Sequence, residues 1–208
     1  MNLPQNPCKK SIGSLKTKKL DFWTPDEYKS FSDACRDNKE YFIIFEILYY
    51  TGMREGELLA LTPNDIDFQN QTIFINKTYC RITGKDIINP PETEHSERII
   101  KMPEFLSSEI QEYLHTLPKL DSTQRIFQKR PQYLRRFLIN RAQKANVKII
   151  RIHDIRHSHA SLLIDLGANP VLVAERLGHE SPNITMKTYA HLFPSTHDDI
   201  VKRIQKIQ

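Results

Sequence analysis

The sequence is short of cysteine, of long apolar runs and, over one stretch, of acids, and each shortage excludes something. Its three cysteines (Cys8, Cys35 and Cys80) are odd in number and widely spaced, with no CxxC pair. That argues against a disulfide framework or a thiolate zinc site and for a reducing compartment. No stretch reaches the roughly eighteen uncharged apolar residues of a membrane span. The N-terminal MNLPQNPCKK lacks the apolar core of a secretory signal. No internal repeat or low-complexity tract is present. What remains is 208 residues, 39% hydrophobic and 26% charged, enough for one large domain or two small ones with a buried core.

The formal charge is +5, and it is unevenly spread. Leu20–Asn70 holds eleven acids and four bases. Arg125–Arg151 holds nine bases and no acid, and Lys9–Lys19 adds five lysines, again without an acid. A basic run is often a solvated face. A run this free of acids points to a phosphate-tracking surface and a polyanionic partner.

Residues 1–21, with Pro4, Pro7, Gly13 and five lysines, read as a basic linker or arm. A domain over 22–208 follows. Thr24-Pro25-Asp26-Glu27 is a capping box with proline at the first helical position, so a helix is predicted to about Asp37. The apolar run near Glu40–Thr51 predicts a buried central helix closed by Gly52. A short helix should follow at Arg54–Leu61. QTIFINKTY and RIIKMP are β-rich, and Gly84, Asn89 and Pro90-Pro91 break the segment between them. This predicts a small antiparallel meander over about Ile66–Met102. Helices are then expected near 104–116, 131–145, 153–166, 170–177 and 182–190, with a tail helix at about 196–207. The fold class is mostly α with a small antiparallel β-sheet, that is, α+β.

Three segments carry the side chains suited to chemistry. On a helix, His153, Arg156 and His157 of RIHDIRHSH share one face by i, i+3 and i+4 spacing. Imidazole and guanidinium together can bind a phosphate. The same spacing of His153 and His157 is zinc-like, but HExxH is missing and no carboxylate ligand is obvious. An amphipathic helix with incidental polar residues is the third reading. In TGMREGELLAL, Arg54 starts a helix after a glycine break, where free backbone N–H groups also favour anions, and Glu57 one turn on is placed to orient it. In LGHESPNITMKTYAHL, His179 follows a glycine turn and Tyr189 comes ten residues later. A tyrosine hydroxyl is a weak nucleophile unless its proton is removed or its charge stabilised. A half-buried aromatic is its commoner fate.

Taken together, TGxRxxEL, HxxR, LGH and a tyrosine ten residues on closely resemble the catalytic domain of the tyrosine recombinases, the phage-integrase family. The resemblance covers about residues 22–205. The wording of HDIRHSHAS and LGHESPNITMKTYAH is similar to integrases of phages and integrative elements of Gram-positive bacteria. The resemblance implies a site-specific DNA recombinase, acting in integration or excision of a mobile element. In that family a tyrosine attacks a DNA phosphate to give a 3′-phosphotyrosyl bond, and a 5′-hydroxyl later reverses it. No metal or nucleotide cofactor is implied. Tyr189 matches the nucleophile. Arg54 and Arg156 match the arginines that clamp the scissile phosphate, which is where phosphoryl-transfer catalysis gains most. His153 matches a general acid–base residue around the tyrosine, and His179 a phosphate hydrogen-bond donor. Glu57 and Asp154 match supporting positions.

The resemblance departs in one place. The family places a lysine on the β-hairpin as acid for the leaving 5′-hydroxyl, commonly in a PKTKxSxR-like stretch. Here that stretch is Pro91-Glu92-Thr93-Glu94-His95-Ser96-Glu97-Arg98. Lys77, Lys85 or Lys101 then substitutes, with Lys77 preferred, or His95 serves, or the protein is a catalytically impaired DNA-binding relic. The chain is also short for the family, which suggests a catalytic fragment preceded elsewhere by core- and arm-binding domains. The expected partner is double-stranded DNA at attachment sites, with a tetramer on DNA and a monomer alone. The expected setting is the bacterial cytoplasm, with no membrane involved.

Overall fold

The computed structural model describes residues 20–193, except 92 and 119, together with 201, 204 and 205. The linker expected over 1–21 and the tail helix expected over 196–207 lie almost entirely outside the described residues. The chain runs α1 (Pro25–Cys35), α2 (Lys39–Thr51), α3 (Glu55–Ala60), β1 (Ile66–Asp67), β2 (Thr72–Ile75), β3 (Thr78–Ile82), β4 (Lys85–Asn89) and β5 (Arg98–Lys101). It continues through α4 (Glu104–Thr116), α5 (Pro131–Lys144), α6 (Ile152–Asp165), α7 (Pro170–Leu177) and α8 (Pro182–Tyr189). The class is α+β, as the sequence predicts.

Local chemistry sets the helix ends. Thr24 and Glu27 complete their capping box, with the Thr24 N–H donating to Glu27 at 2.8 Å. Asn38 caps α2 and Gly52 ends it in the left-handed region at φ +66°. A side chain there would strain the backbone, and its Cβ would lie 2.5 Å from the His159 ring. α2 is buried along nearly its whole length. It packs against α1, α3, α4 and α6 and forms the axis of the main core.

The predicted meander resolves into two separate sheets. One has the order β1-β2-β5, all antiparallel, and β3 and β4 form a hairpin of their own. QTIFINKTY is therefore not one strand. It breaks at Asn76-Lys77, where Lys77 turns to meet Asp65. The hairpin closes through Thr83-Gly84, both at positive φ, as a two-residue turn matched to strand twist requires. It seats on α3 by a close approach at Gly56, where an added Cβ would lie 2.5 Å from Thr78 Oγ1 and 2.8 Å from the Tyr79 carbonyl. That approach brings the start of the hairpin beside Arg54.

A smaller cluster, Ala160, Ile164, Val173, Leu177 and Tyr189, joins α6, α7 and α8. It is distinct from the main core, and the residues expected to do chemistry lie where the two meet.

The charge asymmetry is in part accounted for within the protein. Acids of the N-terminal helices pair with bases of the basic run: Lys129 with Glu40 at 2.8 Å, Arg141 with Asp37 at 2.9 Å and Lys148 with Glu27 at 3.2 Å. Arg125 pairs with Asp86, Lys144 with Asp37 and Arg151 with Asp154. Six of the nine bases thus face protein carboxylates. Arg130, Arg135 and Arg136 make no ion pair among the described residues. Much of the run is the basic side of an intramolecular interface between α5 and the α1/α2 region, because segments far apart in sequence carry complementary charge.

Candidate active site

Arg54 caps α3 and points from a buried support. Glu57 accepts from the Arg54 backbone N–H at 2.8 Å and from its Nη1 at 2.8 Å. It also accepts from Arg98 Nη1 at 3.1 Å and Nη2 at 2.9 Å. Burial alone would raise the Glu57 pKa, but the bonds from Arg98 and Arg54 outweigh it and hold the carboxyl below its usual range. The sequence reading assigned Glu57 to Arg54 and missed Arg98, whose partner lies 41 residues away. Its place at the end of the PxxxxSxR stretch was the available signal.

Arg156 enters from α6 and is almost fully buried. Its Nη1 donates to the Gly52 carbonyl at 2.8 Å and its Nη2 to the Leu177 carbonyl. Burial, followed by repulsion from Arg54 and Arg98, pushes its pKa down to about 9. Glu57 is shared between Arg54 and Arg98, so three guanidiniums gathered beside one carboxylate favour a further anion. His153 stands at the surface of the same helix. Crowding by protein atoms, then the Arg156 charge, lowers its pKa. Asp154 does brace a neighbouring arginine, Arg151, at 2.7 Å and 2.9 Å.

His179 follows α7 and donates to or accepts from Thr185 through Nδ1 at 2.8 Å, so its ring is fixed and Nε2 is left for the site. Burial, then Arg156 and Arg54, push its pKa down to about 4. Tyr189 ends α8 and is only 1% exposed. Burial pushes its pKa up to about 12, with Arg156 partly offsetting the rise. Its hydroxyl lies 2.6 Å from Nδ1 of His157. Among the described residues the hydroxyl meets His157 and not His153, although the family resemblance assigns His157 no role.

Lys77 lies between β2 and β3. Its Nζ donates to both Asp65 oxygens at 2.5 Å and to Asn76 at 3.2 Å. It lines a small cleft of about 80 Å³ with Arg54, Glu57, Thr78, Pro91 and Ser96. Lys85 is at the opposite end of the hairpin, paired with Ile82 beside the turn. Lys101 ends β5, where its carbonyl accepts from Arg176. His95 is exposed in a 3₁₀ turn. Glu92 lies outside the described residues. Lys77 thus shares a cleft with Arg54.

The arrangement sets the buried Tyr189 hydroxyl against His157 and near Arg156, with Arg54 and His179 close to Arg156 and Lys77 in a cleft beside Arg54. It can bind a phosphodiester, neutralise charge developing on its oxygens and hold proton donors near both the attacking and the leaving atom. Among the described residues no three His, Cys, Asp or Glu side chains gather as a metal-ligand set. The ligands that the zinc reading of His153 and His157 needs are therefore not assembled there.

The phage integrase family matches this chain over residues 21–196. The chain is 30% identical to the ICEBs1 integrase of Bacillus subtilis (strain 168), over 99% of this chain and 60% of that protein. It is 27% identical to the integrase of Staphylococcus phage L54a, over 78% of this chain and 51% of that one. It thus spans between about half and three-fifths of these relatives' length. Its fold matches the Tn1549 transposon integrase in complex with circular intermediate DNA, with a TM-score of 0.75 at 22% identity, over 93% of this chain and 69% of that chain. It also matches the catalytic domain of bacteriophage HP1 integrase, with a TM-score of 0.61 at 23% identity, over 88% of this chain and 95% of that one. With residues 21–196 matched and the same fold in solved integrases, the chain belongs to the phage integrase family.

Proposed function

We propose that this chain is the catalytic domain of a site-specific recombinase that cleaves and rejoins double-stranded DNA, for integration or excision of a mobile element. The observation that carries the reading is the buried Tyr189 hydroxyl close to the Arg156 guanidinium, beside which Arg54 and His179 gather. In this reading Tyr189 attacks the scissile phosphate and the two arginines bind its non-bridging oxygens. His179 donates to one of them through Nε2. Lys77 protonates the departing 5′-oxygen. The adduct conserves the phosphodiester bond energy, so rejoining needs no nucleotide. The placement of Lys77 in one cleft with Arg54 and Pro91 favours an active enzyme over a DNA-binding relic, because the acid that Glu92 cannot supply is available from the start of β3.

Duplex DNA is the partner we assign, in the bacterial cytoplasm, with a tetramer assembled on DNA and a monomer in its absence. The test is trapping on a nicked duplex whose short fragment escapes after cleavage, with a chelator present throughout. The unaltered protein should form a protease-sensitive covalent adduct and Tyr189→Phe none. An adduct that persists in Tyr189→Phe would exclude this nucleophile. Chelator-sensitive cleavage without an adduct would replace the reading with metal-dependent hydrolysis.

A further inference from the structure

Tyr189 is buried at 1% exposure, so water cannot readily carry its proton away. Among the described residues its hydroxyl has one neighbour able to take it, the imidazole of His157, one residue past Arg156, with Nδ1 at 2.6 Å. That distance is within reach for direct proton transfer. The direction of the bond follows from satisfaction of polar atoms. A buried phenol with its O–H intact needs an acceptor, and an unprotonated Nδ1 with the hydrogen on Nε2 supplies one. The opposite tautomer would leave the phenolic hydrogen without a partner.

We infer that His157 is the proton acceptor for Tyr189: it takes the phenolic proton as the oxygen attacks phosphorus and returns it when the phosphotyrosyl bond is reversed. The inference rests on the reading of Tyr189 as nucleophile and extends it to a residue that the resemblance does not assign. In the forward step the Tyr189 O–H bond breaks and its proton moves to Nδ1. The Tyr189 oxygen–phosphorus bond forms, and the phosphorus–O5′ bond breaks with its electron pair on the 5′-oxygen, which takes a proton from Lys77. His153, with no hydrogen bond to the tyrosine among the described residues, is left to face the phosphate.

The surroundings suit an acceptor. His153, Asp154 and Arg156 of α6 and Arg151 at its N-cap face the His157 ring, with Tyr189 of α8 and His179 after α7 completing the shell. Burial, then His153, push its pKa down to about 4, with Asp154 opposing. It is thus neutral and vacant at pH 7. An acceptor so weak cannot deprotonate a resting phenol whose pKa is about 12. Two changes on DNA binding close that gap. The incoming phosphate anion favours the imidazolium, and the phenol becomes acidic as its oxygen bonds to phosphorus. Transfer is therefore coupled to attack, and free Tyr189 stays protonated.

Two measurements on the full chain test this. The first is nitrogen NMR of the histidines. Nδ1 of His157 should be unprotonated and hydrogen-bonded, and its resonance should move in Tyr189→Phe. A protonated Nδ1 would overturn the assignment. The second is the single-turnover rate of adduct formation on the nicked duplex. His157→Ala and His157→Gln should each slow it on the order of 10²–10⁴-fold with DNA binding retained. Imidazole in the buffer should restore some of the rate to His157→Ala, whose cavity can admit it, more than to His157→Gln. Unaltered rates in both variants, beside a Tyr189→Phe that forms no adduct, would overturn the role of His157 and leave the nucleophile standing. An adduct that survives in Tyr189→Phe would overturn the parent reading, and this one with it.

Discussion

Arg98 Nη2 and Glu57 Oε2 are 2.9 Å apart, with 6% and 5% of their side chains exposed. The same carboxylate holds Arg54. Arg54 therefore owes its position to a residue on a distant sheet strand, and the pair can be broken from either side. Removing one member of a buried ion pair leaves an uncompensated charge and costs about 3–5 kcal/mol. Arg98→Ala should lower stability by that order in a denaturant titration. Arg98→Met combined with Glu57→Gln should cost less than the sum of the two single changes, because the double change leaves neither charge stranded.

Acid should weaken the fold through three imidazoles. His157 and His179 are held at about 4 and His159 at about 3, all mainly by burial, against 6.5 for an exposed histidine. Between those values the unfolded chain binds more protons than the native one, so stability is full above pH 6.5 and is lost as the pH falls toward the folded pKa values. The melting temperature should drop steadily from about pH 7 to about pH 4.5. His159→Gln, which has nothing to protonate, should show a shallower slope, whatever its stability at neutral pH.

If Lys77 supplies the leaving-group proton, its loss should matter only where a proton is needed. Lys77→Met should slow adduct formation on the order of 10²–10⁴-fold. A substrate with a 5′-bridging sulfur, which departs as a thiolate without protonation, should react at nearly the unaltered rate. Equal slowing on both substrates would give Lys77 a structural role, through Asp65.

The ion pairs across α5 divide the basic run into two classes. Arg135→Ala and Arg136→Ala should each flatten the salt dependence of DNA binding by roughly one counterion, the number released when a single phosphate is neutralised. Lys148→Ala should leave the slope unchanged and lower stability slightly, since an exposed pair contributes roughly 0.2–1 kcal/mol.

Helix ends were the most legible feature of the chain, because the signals that set them are local. Thr24 through Glu27 starts α1 where expected, and α4 and α7 have the predicted bounds. The sheets were less legible. β4 shows no alternating burial, since most of its residues face solvent, and β2 finds β5 across a hairpin that ignores both. Arg54, His153, Arg156, His179 and Tyr189 were singled out by motifs that resemble the phage-integrase family. His157 sat in plain view beside Arg156, but nothing in a helical period says which ring meets a hydroxyl 32 residues on. Which bases of the run are paired within the protein was illegible for the same reason, as the carboxylate partners Glu27, Asp37 and Glu40 lie on helices far upstream.

Arg156 is tied at one hand to Gly52, at the close of the central helix, and at the other to Leu177, inside the small cluster that also buries Tyr189. One side chain therefore rivets two bodies of unequal strength. The smaller body has few apolar contacts and should open first. When it does, the arginine loses an anchor at the moment the tyrosine loses its seat. A half-open molecule then holds neither an aimed nucleophile nor a finished clamp. In the recombinase proposed above, damage to the fold would therefore disarm the nucleophile before it could make a break that it is unable to reseal.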